Sequence, residues 1–335
     1  MALHAELIHS TAALERHADA WDALAVARGR PYCAPGWMLS WLRAVAQPGA
    51  LLRACVVQDG DELIGIAPFW TSAEDGGGRY GLLAERTSSP VEPLSVAGRE
   101  SDVAVAVGEL LGAADPRPRE IELQGAPRDS PWPRLLAERW AGSPPASITR
   151  TREEPLPKVG LGHEGMEAWL ATRSRNFRQQ LRRDRRRLDN AGARFRVSNV
   201  SDLDRDVDAL ARLHHARWRP RGGSRALDAG VEAMLKLAGR ELREARFRLL
   251  SIDVGGVSIS AHLFVRAGAT SAYWLGGFDD RWAACRPSIQ VLAAAVEEGI
   301  ERGDECLELG PGGQDYKYRL ADSEDGLEWV TLRPS

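Results

Sequence analysis

The chain has 335 residues, of which 44% are hydrophobic and 27% charged, the proportions of a globular protein and not of a disordered, collagenous or membrane-embedded one. Its 44 basic and 47 acidic residues leave a net charge of −3, without the global field that marks a nucleic-acid binder. A chain of this length outgrows a single hydrophobic core and predicts two domains of roughly 150 residues each.

No apolar run approaches the roughly 18 residues of a membrane span. The N-terminus carries His4, Glu6 and Arg16 where a secretory leader needs an apolar stretch, so the expected location is cytoplasmic. Cys33, Cys55, Cys285 and Cys306 are dispersed without a CxxC pair, which suggests neither a zinc site nor a disulfide framework.

In chain order, helical periodicity over Leu14 to Leu24 and, after Pro35-Gly36-Trp37, over Met38 to Val45 predicts two opening helices. Leu51 to Val57, a turn at Gly60, and Glu62 to Trp70 read as a β-hairpin. Residues 73 to 101 are rich in Gly, Ser, Pro and charge and read as a loop, followed by a helix over Val103 to Leu111 and a strand over Glu120 to Leu123. Gly142 to Pro145 and Pro155-Leu156-Pro157 read as a linker, with a boundary near residue 150.

The second half predicts helices over Glu167 to Gly192, Ser201 to Arg217 and Val231 to Glu244. A three-stranded meander follows over Phe247 to Ile252, Ser258 to Arg266 and Ser271 to Gly277, then a helix over Ser288 to Arg302 and a short strand over Cys306 to Gly310. The order of elements echoes the first half, as expected of a tandem duplication in which the second copy keeps a ligand loop.

That loop joins the strand ending at Gly277 to a helix opening with Arg286-Pro287-Ser288. Proline at an early helical position leaves neighbouring amides unpaired, and such an end suits a pyrophosphate, with Arg286 adding charge. An ordinary capped helix start is the competing reading.

Tyr273 to Asp279, Arg286-Pro287-Ser288-Ile289-Gln290, and Glu308-Leu309-Gly310 followed by Asp315-Tyr316-Lys317-Tyr318-Arg319 resemble the CelD/BcsL-type acetyltransferases, and also the Fem-type peptidyltransferases. Trp37 to Trp41, Gly65 to Pro68 and Leu213 to Trp218 with Arg221-Gly222 agree with it. One departure is Ser288 where these families often carry glycine, and no R/Q-x-x-G-x-G/A loop is present. The resemblance implies an α/β fold of two GNAT-like domains with mixed sheets: residues 1–150, a degenerate copy on the acceptor side, and residues 151–335, holding the acyl donor. It implies acetyl-CoA or another acyl-CoA as co-substrate, no metal, and an amine or hydroxyl acceptor on a small molecule or an envelope or exopolysaccharide sugar, seated in the groove between the halves.

Under this resemblance the donor contacts are Gly277, Arg286, Pro287, Ser288, Ile289 and Gln290. Lys317 is expected as an electrostatic stabiliser, Tyr316 as the acid for the leaving thiolate and His214 as the base; packing or surface roles are the competing readings. Trp218, Arg221, Tyr273, Asp279 and Tyr318 are placed at the substrate, with loop fixation the stronger reading of Asp279. The basic helix over Arg173 to Leu188 is read as a solvated face, with a phosphate, RNA or lipid contact as the alternatives. Two rival functions stay open: a Fem-like transferase using aminoacyl-tRNA, and a binding protein on a GNAT scaffold without turnover.

Overall fold

The computed structural model describes residues 3–74, 76–140 and 145–334, so Gly142, Ser143 and Pro144 of the expected linker lie outside the described residues. The chain divides into two compact units: Met1–Pro155 with Asp325–Ser335, and Leu156–Glu324.

The first unit contains β1 (Leu3–Ile8), α1 (Thr11–Glu15), α2 (Ala18–Ala27), α3 (Pro35–Ala44), β2 (Ala50–Asp59), β3 (Glu62–Ser72), β4 (Arg79–Leu82), β5 (Leu94–Ser95), α4 (Glu100–Ala113), β6 (Glu120–Pro127), α5 (Trp132–Glu138) and the first part of β7 (Ser147–Gly160). β1, β2, β3 and β4 pair antiparallel in sequence order, and β4 pairs parallel with β6. The predicted opening helix is two: Ser10 caps α1, its hydroxyl accepting from the Ala13 amide, and the chain breaks at Arg16-His17. The predicted loop over 73 to 101 hides β4 and β5, whose glycine-rich or two-residue sequences are too short to show a period.

β4 and β6 pair only over Arg79–Gly81 and Glu120–Glu122. Beyond that point the gap is filled from within: the Glu85 carboxylate accepts from the Gln124 amide, the Val91 amide donates to the Gly125 carbonyl, and Leu83, Ala84, Glu85 and Val91 are buried. Burial holds the Glu85 carboxyl up at about 8, so it sits in this plug as a neutral acid at pH 7.

The second unit contains the rest of β7, α6 (Met166–Ala171), α7 (Arg175–Asn190), β8 (Arg194–Val197), α8 (Leu203–Trp218), α9 (Ala229–Arg246), β9 (Phe247–Val254), β10 (Val257–Ala267), β11 (Thr270–Phe278), α10 (Pro287–Arg302), β12 (Cys306–Glu308), α11 (Asp315–Tyr318) and the start of β13 (Ser323–Arg333). Pro155-Leu156-Pro157, expected as linker, lies inside β7: proline is tolerated in a strand where its missing N–H is not needed by the ladder. β8, β9, β10 and β11 are antiparallel neighbours, β12 joins β11 in parallel, and β7 closes the row on β12. One helix was expected over Glu167 to Gly192; Ser174 splits it, accepting from the Phe177 amide as the cap of α7.

Leu250, Ile252 and Phe264 face a cluster that includes Phe177, Leu181 and Leu188 of α7 and Val291, Leu292 and Val296 of α10. Their strand neighbours Leu249, Leu263 and Val265 point the other way, under α8 and α9. Both sheet faces are therefore covered by helices, and the site lies where the sheet itself opens.

Candidate functional site

β11 and β12 run side by side only from Thr270–Ala272 and Cys306–Glu308. β11 continues to Phe278, while β12 ends at Glu308 and the chain turns through Gly310 and Gly312, both at positive φ. The two parallel strands part, and a cavity of about 660 Å³ opens between them. Its lining draws His262 from β10, Tyr273 and Gly276 from β11, Leu309, Gly310, Pro311, Tyr316 and Lys317 from the chain after β12, Ala283, Arg286, Ser288 and Ile289 from the approach to α10 and its first turn, and His214, Arg217 and Trp218 from α8, with Arg319.

Eight of the residues expected at the site line this one cavity: His214, Trp218, Tyr273, Arg286, Ser288, Ile289, Tyr316 and Lys317. The others are placed differently. Gly277 packs under α8, where a Cβ would come 2.5 Å from the His214 amide nitrogen; the glycine is needed for helix-to-strand approach and not for phosphate. Pro287 is buried at the first position of α10. Gln290 is buried with its side-chain amide donating to the Leu181 carbonyl at 3.0 Å, which ties α10 to α7. Asp279 caps the short helical turn Asp280–Cys285 by accepting from the Arg281 amide, and Arg281 holds its carboxyl below the usual range. Tyr318 is exposed and its hydroxyl donates to Glu324. The Arg221 side chain lies outside the described residues.

The helix mouth is narrower than expected. Pro287 has no N–H, and the Ile289 and Gln290 amides both donate to the Arg286 carbonyl, so Ser288 is the first-turn amide without a backbone acceptor among the described residues. Arg286 adopts the left-handed conformation (φ 47°, ψ 58°), a strained choice for a non-glycine residue. Its guanidinium grips the fully buried Asp184 of α7 through Nε at 2.7 Å and Nη2 at 2.6 Å and also bonds Gln180. Asp184 falls on the stripe of Phe177, Leu181 and Leu188, and only a buried cation makes a carboxylate tolerable there. The other α7 arginines are largely paired: Arg182 with Glu167, Arg185 with Asp189, Arg183 and Arg187 with Asp184.

Lys317, 4% exposed, donates from Nζ to the carbonyls of Gly310 at 2.8 Å, Pro311 at 2.7 Å and Gly312 at 3.2 Å. Tyr316 is held protonated by burial, and so is Tyr273. His214 contacts Ser224 through Nε2 at 2.9 Å, and burial lowers its pKa, keeping it neutral at pH 7.

Sequence reasoning did not single out His262. It lies in the apolar run Ile259 to Val265 of β10, is 2% exposed, and approaches the Tyr273 hydroxyl through Nδ1 at 3.2 Å. A lone histidine within a buried strand was the available signal. Gly276 lies opposite it in the ladder, and a Cβ there would fall 1.9 Å from Nδ1, so the ring occupies space that only glycine leaves. Burial, with the nearby charge of Arg217, pulls the His262 pKa down to about 3.

The sign of the consequence is fixed: the unfolded chain takes up a proton below about pH 6.5 that the native state refuses until about 3. Stability contributed by neutral His262 is complete above pH 6.5 and is lost as pH falls. Between pH 6.5 and 4.5 the expected loss from this residue is about 2 kcal/mol, and denaturant titrations across that range should show a shallower decline for His262→Gln.

Among the described residues no carboxylate lines the cavity, whereas Arg217, Arg286, Lys317 and Arg319 do. Among the described residues no group of three or more His, Cys, Asp or Glu is arranged to hold a metal ion, and no helix is long and apolar enough to cross a membrane. The lining therefore suits an anionic ligand with an apolar section against Tyr273, Trp274, Leu275 and Phe278.

Residues 175–318 match the family model described as an acetyltransferase (GNAT) domain. No curated protein matches the chain in sequence. In fold it is similar to FemX, with 11% identity, a TM-score of 0.65, and coverage of 98% of this chain and 96% of that one. The C-terminal domain of a putative lysylphosphatidylglycerol synthetase from Agrobacterium fabrum has 12% identity and a TM-score of 0.57, covering 96% of this chain and 93% of that one. A tandem GNAT protein from the clavulanic acid biosynthesis pathway has 13% identity and a TM-score of 0.51, covering 99% and 100%. The architecture is a mixed α/β GNAT-like fold shared with tandem GNAT proteins.

Proposed function

We propose that this chain is a cytoplasmic acyltransferase of the CelD/BcsL type that takes an acyl group from an acyl-CoA in the second unit and passes it to an amine or hydroxyl of a small molecule or an exopolysaccharide sugar. The observation that carries this reading is the carboxylate-free cavity at the parting of β11 and β12, lined by cationic and aromatic side chains. The first unit is the degenerate copy in this reading, because residues 83–91 fill its own strand gap.

The chemistry divides among residues already in place. The acceptor forms a C–N or C–O bond to the acyl carbon as the C–S bond breaks and its electron pair passes to sulfur. His214, held neutral by burial, takes the acceptor's proton, and Tyr316, held protonated, gives one to the thiolate; solvent restores both. Ser288 and Arg319 contact the phosphates, and Lys317 is a positioning residue that fixes the Gly310–Gly312 wall.

Isothermal titration with acetyl-CoA and with deacylated tRNA tests the reading: micromolar binding of acetyl-CoA that Arg319→Glu weakens about tenfold is expected, since the change places like charge beside phosphate. Binding of tRNA with none of acetyl-CoA or longer acyl-CoAs would move the assignment to the Fem-like reaction, and binding of neither to a protein without turnover.

A further inference from the structure

Two ring nitrogens of residues that line the cavity are buried without a hydrogen-bond partner among the described residues, Nδ1 of His214 and Nε2 of His262. In His262 the other ring nitrogen faces the Tyr273 hydroxyl. An unpaired buried polar group carries a desolvation cost, so a ligand atom that pairs with it is favoured by recovering that cost.

Which atom follows from the proton. Burial keeps Tyr273 protonated, and among the described residues Nδ1 of His262 is the hydrogen-bond partner of its hydroxyl, so taking the hydroxyl as donor makes Nδ1 the acceptor. With Nδ1 accepting, the neutral imidazole carries its proton on Nε2. The group that His262 brings to the cavity is thus an N–H donor, uncharged because burial and Arg217 oppose imidazolium. It is as unsuited to abstracting a proton as it is suited to an oxygen that gains negative charge, as an acyl oxygen does when its carbon is attacked. Position agrees: His262 is opposite Gly276, past the last β11–β12 pair, and lines the same cavity as Ser288.

We infer that His262, oriented by Tyr273, donates from Nε2–H to the carbonyl oxygen of the acyl donor. The inference rests on the acyl-CoA reading above and adds a catalytic residue to it. Tyr273 is then a positioning residue, since it acts through the imidazole.

The test compares acetyl-CoA with S-ethyl-CoA, which keeps the size of the acyl end and lacks the carbonyl oxygen, by titration calorimetry at pH 7.5. Wild type should bind acetyl-CoA about fivefold more tightly than S-ethyl-CoA. His262→Gln, whose amide places a donor near the same point, should keep most of that preference, and His262→Phe should abolish it. Equal affinities in wild type, or an undiminished preference in His262→Phe, would overturn the inference while leaving CoA binding intact. Failure of wild type to bind either compound would instead overturn the acyl-CoA reading, and the inference with it. Should His262→Phe not fold, the imidazole ¹⁵N resonances of wild type decide: Nε2 protonated and shifted by acetyl-CoA but not by S-ethyl-CoA supports the contact, and Nδ1 protonated overturns it.

Discussion

Arg286→Met should lower the free energy of unfolding by about 3 kcal/mol, because it leaves the carboxylate of Asp184, wholly inaccessible to solvent, without its main cation. Arg183 and Arg187 stand 3.2 and 3.7 Å from the same carboxylate, but both side chains are about half exposed, so they replace only part of the interaction. Urea denaturation measures the loss, and the double variant Asp184→Leu with Arg286→Met should recover most of it, since an apolar pair of similar volume removes the stranded charge. A single variant within about 0.5 kcal/mol of wild type would show that the pair does not anchor α7 to the loop. The strained left-handed backbone at Arg286 should relax with it, shifting Ser288 and the cavity wall. The role of Arg286 is therefore first structural: its charge is met by Asp184 before any phosphate arrives.

Lys317→Met should have a comparable effect by a different route. Three carbonyl oxygens, of Gly310, Pro311 and Gly312, lose one shared donor, and a stability loss of about 2–4 kcal/mol is expected. The wall they form lines the cavity, so acyl-CoA affinity and kcat should fall together, with kcat/KM down about 100-fold, the scale of a misplaced reacting group. The resemblance implies a different role for Lys317, an electrostatic stabiliser facing the substrate, and a residue in that role would lower turnover more than binding. If kcat alone drops and the melting temperature is unchanged, Lys317 acts on the substrate and not through its loop.

Both variants act on the same feature. The two sides of the cavity are each secured by one cation, the partly buried Arg286 on the α10 side and the buried Lys317 on the Gly310–Gly312 side. The charges that make this lining cationic also hold it open, which is why neither residue is a simple ligand contact.

Much of the architecture follows from sequence alone. The β2–β3 hairpin, the β9–β10–β11 meander and α10 announce themselves through alternation, through glycine turns at Gly60 and Gly255-Gly256, and through Pro287 at one end and Gly303 at the other. These are local signals, and local periodicity records them. Eight of the residues that meet in the cavity were also legible, and four of them, Tyr273, Arg286, Ser288 and Ile289, come from a strand, a loop and a helix start close in sequence. What sequence could not supply is the direction in which each side chain points. Gln290 and Gly277 belong to the same stretch as Ser288 and Ile289 yet face α7 and α8, and Lys317 turns its ammonium onto its own loop. His262 joins Tyr273 only because β10 and β11 register it opposite Gly276, and the Arg286–Asp184 pair joins positions 102 residues apart. Such pairings depend on strand register and on which face of a helix is buried, quantities fixed by the packing of the whole unit and not by any window of its sequence.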